Sequence, residues 1–264
     1  MEYEERAQLP YRCRLEWGRD GVLRAAARGD VVVIVDTLRF STAVTAAVAK
    51  EAVIHLCIDQ KEIDLLLSRI RAEEGGRKAV IFGYGALCPS IYDDVQPGTQ
   101  VLLPSPNGAT CTRYGADAPL LLVGALINAE AVAEVISVFL DGGNLRVTIV
   151  ACGERRGSPG EDGSLRFAVE DYLGAGAILS HLGCSKSPEA LVCQAAFEGT
   201  CNGIAGLLWE SVSGQELRDK GLGHDVAYAA QLNSCSAVAM LHGGRLVALD
   251  SQNSMLRAWG FSRP

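Results

Sequence analysis

Five consecutive β-branched apolar residues, Val31 to Val35, constrain the fold more than any other stretch of this sequence. Such a run suits a strand that is covered on both faces, as in the sheet of an α/β protein. The run ends at Asp36, and Ser41 and Thr42 precede an Ala/Val stretch that favours a helix. Either hydroxyl could cap that helix. The sequence therefore predicts a strand, a tight polar turn and a helix N-terminus in succession.

Asp36 and Arg39 in this turn indicate a site for a phosphorylated ligand. Ligands of α/β sheets usually bind at the carboxyl ends of strands, where the free N–H groups of a helix's first turn favour an anion. Arg39 adds a planar cation suited to phosphate or sulfonate. Asp36 would repel an anion unless a divalent cation lay between them, which suggests metal-assisted chemistry. The alternative is that Asp36 and Arg39 only pair with each other at a strand end.

Strand-like and helix-like segments alternate along the chain, which predicts an α/β fold. Beyond Ser187 the pattern is mainly helical, and a Gly243-Gly244 turn indicates a closing hairpin. No shift in composition marks a linker, so we expect one domain over 1–264 with a helical subregion over 185–235. Further strands are expected at 52–58, 78–82, 100–103, 120–123 and 145–150.

Polar residues also follow the later predicted strands. Those after 100–103 could form a second wall of the same pocket, although turn chemistry alone would explain them. Asn128 is expected to cap the next helix, and Arg155 or Arg156 could hold a distal anionic group of the ligand. The candidate substrate-binding residues are Ser41, Thr42, Ser105, Asn107, Gly108, Asn128, Glu154 and Arg155.

Glu170 and Asp171 stand side by side at the start of a small and apolar helix that begins near Phe167. Adjacent helical positions point about 100° apart, so one carboxylate could face a cleft while the other reaches its rim or a neighbouring backbone. Acids near a helix N-terminus also interact favourably with the helix dipole, which is the alternative explanation. With Asp36 at a nearby strand end, we expect a shared Mg²⁺ site formed by Asp36, Glu170 and Asp171.

The composition excludes several classes of partner. A formal net charge of -7 disfavours nucleic acid and anionic membranes. No stretch approaches the roughly 18 apolar residues of a membrane span, and the first residues lack the apolar core of a signal peptide, so a cytoplasmic protein is expected. The nine cysteines show no zinc-finger or C-x-x-C spacing and are expected to be reduced. The apolar content would permit a homodimer.

Several known chemistries do not fit the motifs. Asp36-Thr37-Leu38 lacks the second aspartate of haloacid-dehalogenase-type phosphatases, and no P-loop lysine motif is present. Cys152 with a distant histidine could be a thiol nucleophile, but its apolar neighbours favour an ordinary cysteine at a strand end.

Five segments follow one another between about residue 13 and residue 247: VVVIVDTLRFSTAV, LPSPNGAT, GALINAEAVAE, FAVEDYLGAGAIL and the late SGQEL…DVAYAA. Taken in this order, they resemble the 2-phosphosulfolactate phosphatase family. The resemblance implies a three-layer α/β/α sandwich with a mixed, largely parallel sheet. It also implies Mg²⁺-dependent hydrolysis of 2-phosphosulfolactate to 3-sulfolactate and phosphate, a step of coenzyme M biosynthesis. The Gly153-Glu154-Arg155 segment follows a later strand, as in a divergent bacterial branch of the family.

These observations combine into one hypothesis about catalysis. Its catalytic residues are Asp36, Arg39, Glu170 and Asp171, with Mg²⁺ held by Asp36 and by Glu170 or Asp171. Either water or Asp36 could attack the phosphorus, and the sequence leaves both routes open. The alternative is a protein of the same fold that binds a small anion without catalysis.

Overall fold

The computed structural model of this chain describes residues 8–73, 79–141, 145–155 and 164–249. Within them the strands are β1 (Cys13–Trp17), β2 (Val31–Val35), β3 (Val53–Cys57), β4 (Val80–Phe82), β5 (Gln100–Pro104), β6 (Leu121–Gly124), β7 (Val147–Ala151), β8 (Glu154–Arg155), β9 (Leu165–Arg166), β10 (Ala239–His242) and β11 (Arg245–Ala248). The α-helices are α1 (Gly18–Ala27), α2 (Phe40–Val48), α3 (Gln60–Glu73), α4 (Gly108–Tyr114), α5 (Ala129–Asp141), α6 (Val169–Ser180), α7 (Pro188–Thr200), α8 (Ile204–Glu210), α9 (Val212–Asp219) and α10 (Gly223–Ala229).

Nine strands of the described chain form one mixed sheet in the order β1-β7-β2-β6-β10-β11-β3-β5-β4. The first four strands are parallel to one another, and so are the last three. The hairpin β10–β11 lies between these two sets and pairs antiparallel with β6 on one side and β3 on the other. Three successive antiparallel pairings reverse the direction, so the two parallel sets run in opposite senses. The predicted mixed, largely parallel sheet is confirmed.

Helices cover both faces of the sheet, and the central strand β2 shows why its sequence is apolar throughout. Val31, Val33 and Val35 pack into the core under α5 and α6. Val32 and Ile34 point the other way, into the core formed with α1, α2 and α4. Successive side chains of a strand alternate between faces, so only an unbroken apolar run can fill both cores. The predicted three-layer arrangement is therefore confirmed.

The two halves of the sheet meet around α2. This helix contacts β6 and β10 as well as β11 and β3, so it packs against both halves. Ser105, directly after β5, and Asp36, directly after β2, come within 3.5 Å of each other although the two strands run in opposite senses. The candidate site described below lies where these two turns meet.

The N-terminal region differs from the sequence-based expectation. The strand β1 and the helix α1 precede Val31, and the sequence pattern indicated neither of them. Arg14 of β1 is 1% exposed, and its guanidinium binds both carboxylate oxygens of Asp30 at 2.9–3.0 Å. A charged residue inside a strand is tolerated there because its partner, sixteen residues away, satisfies it.

We predicted that all the cysteines are reduced, and this is wrong. Cys13 and Cys184 form a disulfide with their Cα atoms 6.4 Å apart. The bond ties β1 to the segment after α6, where the backbone N–H of Ser187 also donates to the carbonyl of Cys13 at 2.9 Å. The other seven cysteines are free. Among the described helices, none is both long and apolar enough to span a membrane.

Candidate active site

Asp36 lies directly after β2, almost buried at 6% exposure. Its Oδ1 accepts from the backbone N–H of Phe40 at 3.4 Å, and its Oδ2 lies 3.5 Å from the hydroxyl of Ser105. Burial, together with the nearby carboxylates of Glu154 and Glu170, raises the pKa of Asp36 to about 7 despite the opposing effect of backbone N–H groups. A carboxylate in this environment favours a cation beside it.

The hydroxyls after Asp36 do not cap the helix as predicted. Ser41 and Thr42 lie inside α2, whose N-terminal flanking residue is Arg39, without a side-chain cap. Ser41 instead accepts a hydrogen bond from the backbone N–H of Asp36 at 2.9 Å, and Thr42 donates to the carbonyl of Thr37 at 2.8 Å. Both are buried and hold the turn in shape, and neither lines the cavity.

Arg39 does not pair with Asp36 but with a residue far along the chain. Its Nη1 lies 2.7 Å from Oδ2 of Asp225 and 3.4 Å from the sulfur of Cys88. The Arg39 side chain is 12% exposed and lines the cavity. The alternative that Asp36 and Arg39 form a simple ion pair at the strand end is therefore wrong.

Glu170 and Asp171 divide their roles as adjacent positions on a helix allow. Asp171 accepts the backbone N–H of Thr37 at 2.7 Å with one oxygen and that of Gly153 at 2.9 Å with the other. It thereby fastens the turns after β2 and β7 to α6. Burial raises the pKa of Asp171 well above its usual range, and Asp36 and Glu170 act in the same direction.

Glu170 is the carboxylate of this pair that keeps an unsatisfied atom. Its side chain is 2% exposed, and its Oε2 is buried without a hydrogen-bond partner. Buried polar atoms are seldom left without a partner, and those that are point to an absent ion or water. The structure thus brings Asp36, Glu170 and Asp171 into one electrostatic cluster, with Glu170 the member that retains free ligand capacity.

The turn after β5 forms a second wall beside Asp36. The hydroxyl of Ser105 accepts from the backbone N–H of Gly108 at 3.0 Å. Asn107 donates from Nδ2 to Oε1 of Glu154 at 2.8 Å and so links this turn to the one after β7. Gly108 opens α4 where a Cβ atom would lie 2.2 Å from the ring of Phe40.

These walls enclose a cavity of about 260 Å³. Acidic, basic and hydrogen-bonding side chains converge on it, which is the composition expected for a small anionic ligand with a metal ion. Its polar and charged lining residues are Asp36, Arg39, Ser105, Asn107, Glu154, Ser213, Glu216 and Lys220. Leu38, Phe40, Tyr84, Leu87, Pro106 and Leu217 supply the apolar part.

Sequence reasoning missed one wall of this cavity and included residues that lie elsewhere. Lys220 follows α9, and an exposed lysine at the end of an amphipathic helix carries no local signal of function. Asn128 is fully buried, and its amide bonds the backbone of Ala125 and Ala237. Arg155 follows Glu154 in β8, where alternation points the two side chains to opposite sides. Arg156 lies outside the described residues.

The carboxylates near Asp36 would bind a metal ion with few protein ligands. Among the described residues, Asp36, Glu170 and Asp171 do not form a group whose three ligand oxygens all lie within 4.8 Å of one another. Mg²⁺ usually takes one or two carboxylates and completes its shell with water and phosphate oxygens. Asp36 at the cavity wall, with Glu170 close enough to raise its pKa and carrying a buried partnerless oxygen, fits such an ion.

The fold and the cavity together define an α/β protein with a site for a small anionic ligand at the end of its central strand. Comparison with known proteins narrows the class. A family profile described as 2-phosphosulpholactate phosphatase matches residues 21–244, and the chain belongs to this family. The predicted family is confirmed, and with it the class of enzyme, a phosphoric monoester hydrolase.

Individual relatives can be aligned with this chain over nearly their whole length. The chain is 32% identical to a probable 2-phosphosulfolactate phosphatase of Carboxydothermus hydrogenoformans, over 86% of this chain and 93% of the relative. It is 28% identical to the 2-phosphosulfolactate phosphatase of Methanocaldococcus jannaschii, over 80% and 89% respectively. A probable 2-phosphosulfolactate phosphatase of Symbiobacterium thermophilum is 27% identical over 84% and 95%.

Proposed function

We propose that this protein is a cytoplasmic, Mg²⁺-dependent phosphatase that hydrolyses 2-phosphosulfolactate to 3-sulfolactate and phosphate, as its relatives are named to do. This reaction would be its step in coenzyme M biosynthesis. The single observation that carries the proposal is the convergence of the buried carboxylate of Asp36 and two cationic side chains, Arg39 and Lys220, on one cavity of about 260 Å³. A substrate with phosphate, carboxylate and sulfonate groups requires cationic partners of this kind.

Asp36 and Glu170 are the residues that would hold Mg²⁺. Asp171 has both oxygens committed to backbone N–H groups, whereas Glu170 has a buried oxygen without a partner. When bound, the ion supplies Lewis-acid stabilisation of the phosphoryl oxygens.

The remaining polar groups of the cavity bind and orient the substrate. Arg39 is held in place by Asp225, so its planar guanidinium is preorganised for two oxygens of the phosphoryl group. Lys220 takes the role that the sequence had suggested for Arg155 or Arg156 and binds the distal carboxylate or sulfonate. Ser105 and Asn107 keep the opposite wall in place through Gly108 and Glu154.

A phosphatase screen over phosphorylated 2-hydroxy acids, with Mg²⁺ and with EDTA, tests the proposal. We expect turnover of 2-phosphosulfolactate that requires Mg²⁺ and falls by at least ~100-fold in Asp36→Asn. Asp117→Asn, an exposed acid after α4, is the matched control and should retain full activity. No turnover of any substrate despite tight phosphate binding would instead identify a non-catalytic anion binder.

Single-turnover hydrolysis in water labelled with heavy oxygen tests direct attack by water. Absence of label from the first phosphate released excludes that route and indicates an aspartyl-phosphate of Asp36 that is hydrolysed at its carboxyl carbon. Label is expected from both routes when water attacks phosphorus, and detection of phosphorylated Asp36 in acid-quenched samples then separates them.

A further inference from the structure

A second group of potential ligands lies beside Arg39, which lines the cavity. One ligand atom each of Cys88, His224 and Asp225 lies within 4.8 Å of the other two, the one group of three that the described residues form. Cys88 sits between two short 3₁₀ turns, 84–87 and 89–92, and the other two residues open α10. The α10 helix packs against the second of these turns, so the fold itself brings the distant segments together.

Asp225 provides an independent observation, because one of its buried carboxylate oxygens has no hydrogen-bond partner. Its side chain is 1% exposed, and Oδ2 is engaged by Arg39 at 2.7 Å. The other oxygen, Oδ1, is buried without a hydrogen-bond partner, although Nε2 of His224 lies 3.1 Å away. A buried carboxylate oxygen without a partner is costly. A cation beside Oδ1 would remove that cost.

We propose that Cys88, His224 and Asp225 form a binding site for a thiophilic divalent cation such as Zn²⁺, with a fourth position open to solvent. A thiolate, an imidazole and a single carboxylate select zinc over magnesium, because Mg²⁺ takes oxygen ligands. Nitrogen and oxygen ligands of a tetrahedral zinc ion are separated by roughly 3.3 Å at the usual bond lengths. The distance of 3.1 Å between His224 and Asp225 is close to that value.

Metal binding changes the charges of the site. Burial, with Asp225 nearby, raises the pKa of Cys88, so the free protein holds a thiol there. As the zinc–sulfur bond forms, the thiol proton passes to solvent. The thiolate and the carboxylate then offset the two charges of the ion, and Arg39 remains the extra cation. Arg39 shares both Cys88 and Asp225 with the metal, so occupancy of the site must change how its guanidinium is held.

Metal titrations of the intact protein test this site without relying on activity. In the presence of excess Mg²⁺, we expect one Zn²⁺ per chain by competition with a chromophoric chelator. Co²⁺ should give a near-ultraviolet charge-transfer band from thiolate to metal. Cys88→Ser should abolish the band, and His224→Gln should weaken metal binding by at least ~10-fold. His224 is 55% exposed, so its variant is expected to fold normally.

Matched variants distinguish this site from adventitious binding. Cys201→Ser and His242→Gln change one cysteine and one histidine elsewhere and should leave both readouts unchanged. A wild-type protein with neither the band nor the bound zinc overturns the proposal, and so does a band that persists in Cys88→Ser. Equal zinc affinity in wild type and His224→Gln overturns it as well.

Discussion

At the scale of single residues, Asp36 is placed where its own charge is unfavourable. Burial and the carboxylates of Glu154 and Glu170 raise its pKa to about 7. Without a metal ion the ionised form therefore costs stability, and such costs are typical of functional sites. Asp36 is maintained in this position by the buried strand before it and the hydrogen-bonded turn after it.

The stability of the metal-free protein should report this cost. In EDTA, Asp36→Asn is expected to be more stable than wild type, by up to ~4 kcal/mol at about pH 8. The sign follows because a raised carboxyl pKa means that the folded state keeps a proton which the unfolded state has lost. The free energy of unfolding of wild type should therefore fall further below that of Asp36→Asn as the pH rises from 3.8, the ordinary pKa of the group, to about 7. Urea unfolding of both proteins across this pH range measures the difference in stability. A difference that does not grow with pH contradicts a raised pKa of Asp36.

Lys220 should act on binding rather than on the chemical step. We expect Lys220→Gln to raise KM for the proposed substrate about 10-fold with little change in kcat, because a contact with the distal anionic group persists from ground state to transition state. Steady-state kinetics at fixed Mg²⁺ measures both constants. Lys61→Gln, an exposed lysine on α3, is the control. A selective loss of kcat would place Lys220 at the reacting phosphoryl group instead.

At the scale of elements, the start of α4 depends on a close approach to α2. A Cβ atom at Gly108 would lie 2.2 Å from Cδ1 and 2.3 Å from Cγ of Phe40, so the aromatic ring or the helix must shift. Because Gly108 also donates its N–H to Ser105, the shift would reach the wall of the cavity beside Asp36.

Gly108→Ala should therefore lower the free energy of unfolding by about 1–3 kcal/mol through overpacking. Gly206→Ala is the matched control, because Gly206 lies in α8 with nothing within 4 Å of a Cβ atom. That change should be neutral or stabilising by up to ~1 kcal/mol. Denaturant unfolding gives the free energy of unfolding of both variants. Equal values would mean that Phe40 shifts to accommodate the Cβ atom without a loss of stability.

Elements whose stability is encoded locally could be predicted, whereas those that depend on distant partners could not. The strand over Val31–Val35 follows from its own composition, and the helix that carries Glu170 follows from its small and apolar residues. By contrast, β1 reads Cys-Arg-Leu-Glu-Trp, and its charges are acceptable only because Arg14 meets Asp30 and Glu16 meets Arg24 and Arg28. The five residues of β1 alone do not reveal that these distant partners exist.

The site shows the same division. Asp36 and Arg39 were found because they follow a recognisable strand, and Ser105 and Asn107 because they repeat that arrangement. The partner of Arg39 is Asp225, 186 residues later, and Lys220 lies on the same distant stretch. Only the packing of α9 at the cavity and of α10 against α9 brings these residues there, and sequence spacing does not encode that packing.

At the scale of the whole molecule, the disulfide joins segments 171 residues apart. Closing a loop of this length restricts the unfolded chain and contributes roughly 2–5 kcal/mol to stability. Protein purified without reductant and unfolded in denaturant should therefore show seven reactive thiols, and nine after reduction. Reduction should also lower the unfolding midpoint of wild type but not of Cys13→Ser. Nine thiols before reduction would mean that the bond does not form.

The hairpin β10–β11 is contributed by residues 239–248, yet it lies in the middle of the sheet and joins two sets of strands that run in opposite senses. A ribosome that has released only the first 230 residues or so therefore carries two separate half-sheets, with the pairing edges of β6 and β3 bare. Such edges invite pairing with other chains, so this protein should need protection from aggregation during its synthesis, until the hairpin enters and completes the sheet.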